Sequence, residues 1–370
     1  MKLKRVFWWT VLAIPVLIIA IGLVAYASST NECDAKVAPT ISHPMKAITY
    51  CSYGDASVVK LTDVEKPSIG DSDLLIRVRA ASVNPLDWHF VRGTPYLMRL
   101  MSGLRKPSEI RLGVDFAGTI EAVGKSVTRF KPGDDVFGGK TGAFAEYVTV
   151  RESHALALKP AGVTFEQAAS VPIAALTALQ SVRDEGKVQA GQTVLINGAS
   201  GGVGTFTVQV AKSYGAIVTG VCSGKNVELV KSLGADQVVD YAKDDYTKGA
   251  TKYDVVIDNV GNRSLLENRR ILKPKVRYVL VGGGGLNDGK WVGPMANFVK
   301  PRLLSPFVSQ HMGMFVANLT EADLKALADL IQSGKVTPVI DRRYKLSEVP
   351  AAITYLEGGH ARGKVVIVME

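Results

Sequence analysis

The chain has 370 residues, 47% of them hydrophobic and 21% charged, with a formal net charge of +10. That length leaves room for two domains and that composition excludes a disordered chain. Acidic residues interleave with most of the basic ones, which excludes a concentrated nucleic-acid patch.

Residues 6–27 carry no charge and as a helix would span roughly 33 Å, enough to cross a bilayer core of about 30 Å. Lys2, Lys4 and Arg5 precede this run, with Trp8 and Trp9 at its near interface and Tyr26 at its far one. The expectation is an N-terminal transmembrane helix that anchors the protein to a membrane by a single pass. Ala25-Tyr26-Ala27 also fits the small-x-small site of a cleaved signal peptide, so that alternative stays open. The positive-inside rule would send the body across the membrane. Thiol usage leans to the cytoplasmic face instead. Cys33, Cys51 and Cys222 show no CxxC spacing and form no disulfide framework, and at least two of them are expected free in a reducing compartment.

Residues 28–44 are polar, hold two prolines and read as a tether. From 45 to about 159, short β-rich runs such as "LLIRVRAASV", "GVDFAGTIEAVG" and "AFAEYVTV" alternate with Gly, Pro and Asp turns, the spacing of a compact, mostly antiparallel unit. From 165 the rhythm changes. "VTFEQAASVPIAALTALQSV" has helical period, and strand then alternates with helix through "TVLIN", "AIVTGVC", "YDVVIDNV" and "VRYVLVGG". Such alternation predicts an α/β domain with a doubly wound parallel sheet. Two helices and a strand close the chain.

"NGASGGVG", residues 197–204, lies between a strand-like and a helix-like run. Its glycines would let main-chain amides meet a pyrophosphate at a helix start, where the helix dipole favours negative charge. The next strand ends at Cys222, Ser223, Gly224, Lys225 and Asn226, with no carboxylate before Glu228. A hydroxyl, an ammonium and an amide suit a ribose 2′-phosphate, so NADP(H) is preferred over NAD(H).

With "AASVNPLDWHFVRG", "RLGVDFAGTIEAVG", "GAFAEYV", "NGASGGVG", "SLGADQVVDY" and "HARGKVVI" in this order, the chain resembles the medium-chain dehydrogenase/reductase superfamily and, within it, the zinc-free quinone oxidoreductases. The resemblance runs from about residue 45 to the end. It implies a GroES-like substrate domain over 45–164 completed by 330–370, a Rossmann domain over 165–329, and a cleft between them. It further implies Ala199, Ser200, Gly201, Gly202 and Val203 at the pyrophosphate and Ser223, Lys225 and Tyr241 at the 2′-phosphate. Asn259, Gly282, Gly283 and Gly284 would face the nicotinamide ribose, with Thr177 near the nicotinamide. A homodimer is plausible by the same likeness.

Where zinc-dependent relatives place a Cys and a His, this chain has Asn84 and Val114. Valine cannot bind a metal, and three cysteines cannot build a four-thiolate site. Quinones and α,β-unsaturated carbonyls are electrophilic without a metal, so the expected activity is hydride transfer from NADPH to such acceptors. Asn84, Asp87 and His89 are the candidate catalytic residues, His89 as a proton donor. The alternative is that Asn84 and Asp87 fasten their loop by local hydrogen bonds, the stronger reading for Asp87, and that His89 is a partly exposed spacer. Trp88, Phe90 and Phe315 could line a pocket for a planar or lipid-like substrate or simply pack in the core. An enoyl-thioester reductase and a nonenzymatic NADPH-binding membrane adaptor are the alternatives.

Overall fold

The computed structural model describes Tyr26 and residues 30–34, 40–282, 289–291 and 309–369. The expected transmembrane helix lies outside the described residues apart from Tyr26. Among the described residues no helix is long and apolar enough to cross a membrane.

The first domain opens on a hairpin of β1 (Pro44–Tyr50) and β2 (Val59–Glu65). Its main sheet is built around β3 (Asp73–Val83), which pairs antiparallel with β4 (Asp115–Val123). β5 (Asp135–Gly139) pairs with β4, β6 (Tyr147–Arg151) with β3, and β7 (Leu156–Leu158) with β5. The alternation of buried Ile76 and Val78 with exposed Arg77 and Arg79 is the period-two signature of a half-buried strand.

The second domain is a parallel sheet. Its strands are β8 (Thr193–Asn197), β9 (Ile217–Cys222), β10 (Gln237–Asp240), β11 (Tyr253–Asp258), β12 (Leu272–Leu280) and β13 (His311–Met314), in spatial order β10-β9-β8-β11-β12-β13. The order reverses beside β8, and ligands of doubly wound sheets bind in the crevice at such a switch point. Val194, Leu195 and Ile196 of β8 are fully buried, as a strand covered by helices on both faces requires.

β14 (Ile340–Lys345) and β15 (Lys364–Val368) return to the first domain, where β15 pairs antiparallel with β3, Val365 opposite Val83. This return brings the closing motif under the candidate site.

The structure corrects the expectation for the cysteines. Cys33 and Cys51 form a disulfide with Cα atoms 5.9 Å apart, and Cys222 alone is free. The pairing escapes a reading of spacing because it joins the polar segment to the end of β1 across folded space. Thiol count therefore no longer speaks for a reducing compartment. The segment is also no loose tether where it is described: Asn31 Nδ2 donates to the carbonyls of Cys51 and Pro107, and Asp34 pairs with Lys106.

Candidate active site

The glycine loop begins where β8 ends. Gly198 holds φ +74°, the left-handed region that glycine enters without strain. Helix α5 starts four residues later; the helices before it are α1 (Pro85–Arg92), α2 (Arg99–Ser102), α3 (Phe165–Ala169) and α4 (Pro172–Gln180), and α5 itself is Gly202–Ser213. A Cβ on Gly204 would lie 2.0 Å from the carbonyl oxygen of Gly198, so only glycine lets α5 come this close to the strand end. A Cβ on Gly201 would meet nothing nearer than 3.5 Å. That open side lies at the N-terminus of α5, whose first amides have no acceptor inside the helix and no side-chain cap. Free amides, the positive end of the dipole and a side with no side chain crowding it together suit a pyrophosphate.

The rest of the expected cofactor shell falls around this loop. Ser200 Oγ accepts from Asn226 Nδ2 at 3.0 Å, and Ser223 Oγ accepts from the same amide at 3.1 Å. Among the described residues Asn226 Oδ1 is buried without a partner, as is Asn259 Oδ1, whose amide nitrogen donates to the Asn197 carbonyl. Two buried acceptors left open are what a pair of sugar hydroxyls would satisfy. Lys225 and Tyr241 are exposed beside Ser223. The carboxylate in this corner, Asp240, receives the Ala242 amide and lies 3.9 Å from Lys243. Thr177, on α4, donates its hydroxyl to the Ile173 carbonyl. A Cβ on Gly282 would strike the Asn259 carbonyl at 2.2 Å, so Gly282 permits the close turn after β12. Gly283 and Gly284 lie outside the described residues.

The turn that carries Asn259 is held by a buried network that the sequence does not announce. Asp258 Oδ1 accepts from Asn197 Nδ2 and from the amides of Val260 and Gly261, while Tyr278 donates to Oδ2. Burial pushes the Tyr278 phenol well above its usual range, so it stays a donor.

In the first domain, α1 presents the polar residues of "VNPLDWHFVRG". Asn84 and Asp87 are both buried and turned inward. Asp87 accepts from the Asn84 amide at 2.7 Å and from the Gly113 amide, and burial pushes its carboxyl up to about 7. Asn84 Nδ2 donates to Asp115 Oδ2 at 2.9 Å, and Asn84 Oδ1 accepts from Lys364 Nζ at 2.7 Å. Lys364 comes from β15, is fully buried, and is held below the usual lysine range by burial, against the opposing pull of Asp115 at 3.4 Å. Asp115 also receives Ser82 Oγ and the Ile173 amide that starts α4. A Cβ on Gly202 would lie 3.3 Å from Lys364 Cδ, so this ionic cluster underlies the phosphate loop as well as α1. The sequence reading missed Lys364 and Asp115; their one signal is a charge inside a strongly apolar strand.

His89 points the other way. It lines a cavity of about 430 Å³ with Tyr53, Trp88, Arg92, Tyr96 and Arg99 of the first domain and Gly289 and Lys290 of the second. None of the glycine-loop residues lines this cavity, so it is not the cofactor groove. His89 Nδ1 lies 2.7 Å from the Thr94 carbonyl, which can only accept, so Nδ1 carries the proton and Nε2 is an acceptor. Burial holds His89 below its usual range, which favours that neutral form. Trp88 stacks on the imidazole at 3.6 Å, whereas Phe90 and Phe315 pack against core clusters.

The residues at the zinc-ligand positions do not fit zinc. Val114 offers no donor, and the oxygen of Asn84 already faces the Lys364 ammonium. Among the described residues no group of three or more His, Cys, Asp or Glu is placed to hold a metal ion.

Residues 70–160 match the family model described as alcohol dehydrogenase GroES-like domain, and residues 233–367 match that described as zinc-binding dehydrogenase. The chain is 35% identical to the mouse protein named NAD(P)H oxidoreductase RTN4IP1, mitochondrial, over 87% of this chain and 89% of that one. It is also 35% identical to an Arabidopsis thaliana protein named NADPH-dependent alkenal/one oxidoreductase, chloroplastic, over 92% of this chain and 85% of that one. Among solved structures, a quinone oxidoreductase from Coxiella burnetii superposes with a TM-score of 0.76 at 31% identity, covering 88% of this chain and all of that one.

Proposed function

The chain belongs to the medium-chain dehydrogenase/reductase superfamily, and from that premise we propose how its own residues do their work. It is an NADPH-dependent oxidoreductase of quinones or α,β-unsaturated carbonyls. The observation that carries this reading is the glycine loop, which leaves uncapped amides at the start of α5, together with two buried amide oxygens, of Asn226 and Asn259, that have no partner among the described residues.

Ala199, Ser200, Gly201, Gly202 and Val203 hold the pyrophosphate. Ser223, Lys225 and Tyr241 hold the 2′-phosphate, and Asn259 and Gly282 border the nicotinamide ribose. Thr177 stands on the nicotinamide side. When bound, the nicotinamide supplies the hydride. The chain's task is then to orient the acceptor, exclude water and allow a proton to reach the reduced oxygen.

Asn84 and Asp87 act as positioning residues, because their polar atoms are turned toward Lys364, Asp115 and the backbone. His89 lies in the cleft as a neutral acceptor. It can orient a hydroxyl or a water that relays the proton, and as a direct acid it would first have to be charged against its burial. Zinc takes no part, since the donors at its positions do not fit. The apolar run 6–27 anchors the protein to a membrane.

Steady-state oxidation of NADPH with a short-chain quinone and, separately, an α,β-unsaturated ketone tests the reading. The expected outcome is turnover of at least one acceptor, with NADH a poorer donor. Binding of NADPH without turnover of either acceptor would refute it and favour an adaptor, and turnover of a crotonyl thioester alone would favour an enoyl reductase.

A further inference from the structure

Beside the His89 cavity the described residues leave an apolar stripe exposed. Leu97, Leu100 and Met101 fall at i, i+3 and i+4 of the helical stretch 96–102 and therefore share one face. Leu100 is 69% and Met101 91% exposed. Trp291 adds to it at 76% exposure: the Leu97 amide donates to its carbonyl, and its ring meets that of Tyr96 edge-on at 5.3 Å. An exposed cluster of Leu, Leu, Met and Trp marks a contact surface. The basic residues Arg105 and Lys290, both exposed, flank it. Arg99, inside the stripe, is held between the rings of Tyr53 and Tyr96.

The route of the chain says what covers this face. Segment 31–34 is fixed to the body next to the stripe through the Cys33–Cys51 disulfide, the Asn31 bonds to Cys51 and Pro107, and the Asp34–Lys106 pair. The uncharged run ends at residue 27. Five residues separate it from Cys33, and those six Cα steps reach about 20 Å even when fully extended. With that run in a bilayer, this side of the body cannot leave the membrane surface. Apolar side chains, a tryptophan and flanking cations are the composition of a protein surface that enters the headgroup layer of an anionic membrane.

We propose that Leu97, Leu100, Met101 and Trp291 form a membrane-docking face that sets the mouth of the cleft against the lipid interface, so that acceptors dissolved in the bilayer enter it directly. Tyr96, Arg99 and Lys290 line the cavity and adjoin this face, so a substrate leaving the acyl region passes from the stripe into the pocket without crossing bulk water. The docking rests on the exposed surface together with the proposed anchoring by run 6–27, and the delivery of substrate rests on the proposed reductase activity.

The full-length protein, reconstituted in phosphatidylcholine–phosphatidylserine nanodiscs, decides it. An environment-sensitive fluorophore is placed on Met101→Cys or, as a reference, on Lys231→Cys in the second domain. Addition of the nanodisc bilayer is expected to blue-shift the label at 101 and nitroxide-headgroup lipid to quench it, with the label at 231 unchanged in both respects. Equal behaviour at the two sites, or protection of the label at 101 by self-association without quenching, would overturn the docking. In a second arm, Leu100→Asp with Met101→Asp is expected to lower kcat/KM for a long-chain, bilayer-dissolved quinone about tenfold or more while sparing a short-chain one. An unchanged ratio of the two would overturn the delivery. Absence of turnover with either acceptor in the unaltered protein would count against the reductase reading alone, since quenching is read without catalysis.

Discussion

Lys364 Nζ lies 2.7 Å from Asn84 Oδ1, and this contact joins the last strand of the chain to the start of the helix that carries His89. The same ammonium faces Asp115, and its stem runs under Gly202. One buried cation thereby ties the substrate side to the cofactor side.

Removing that cation is expected to be costly. Lys364→Met keeps the apolar stem but leaves the Asp115 carboxylate buried without its counter-charge, and losing one partner of a buried pair costs about 3–5 kcal/mol. Urea unfolding should show a loss of that order with an unchanged slope. A change below about 1 kcal/mol would show that the ammonium does not balance Asp115.

Asp87 makes stability depend on pH. Its folded value of about 7 lies above its ordinary 3.8, so the folded chain holds a proton that the unfolded chain has released. Stability from this group is therefore full at low pH and is lost as pH rises from about 4 to 7. Asp87→Asn should flatten that part of the profile, as followed by thermal or urea unfolding across the range. A profile identical to the unaltered protein would assign the slope elsewhere.

The parts legible in the sequence are those written in local pattern. The alternation of β8, its glycine turn and α5 needs only neighbours in the chain, and so does the two-residue period of β3. Lys364 is not legible in this way, because a lone lysine before "VVIV" gains its meaning only when β15 is laid against β3. The Cys33–Cys51 pair and the inward turn of Asn84 and Asp87 are of the same kind. Asp258 is hidden for a related reason: its partners Asn197 and Tyr278 are brought to it by parallel pairing across three strands.

For His89 the tautomer sets the expectation. A neutral ring whose Nδ1 proton is committed to Thr94 orients groups and does not donate to the substrate. His89→Gln should lower kcat/KM less than about tenfold at pH 8, whereas loss of a true general acid costs about 10²–10⁴-fold. A drop in the latter range, with the high-pH limb of the rate profile removed, would restore the imidazole as the proton donor.

The disulfide is checked by peptide mapping without reduction, which should return Cys33 linked to Cys51 and Cys222 as the free thiol. Cys33→Ser should open residues 28–43 to proteolysis while the body stays resistant. Equal resistance with and without the bond would mean that Asn31 and the Asp34–Lys106 pair hold the segment alone.

Gly201 offers the most direct test of the cofactor groove that the whole account depends on. Its backbone is not left-handed, with φ −82°, and a Cβ there makes only an ordinary van der Waals contact with the Gly198 carbonyl at 3.5 Å, so Gly201→Asp puts a carboxylate against the pyrophosphate position without disturbing the fold. Titration calorimetry with NADPH, paired with a thermal melt, should show affinity falling about a hundredfold or more at a Tm that is unchanged or raised, since Asp is a good N-cap for α5. Undiminished NADPH binding by a folded Gly201→Asp protein would contradict the account.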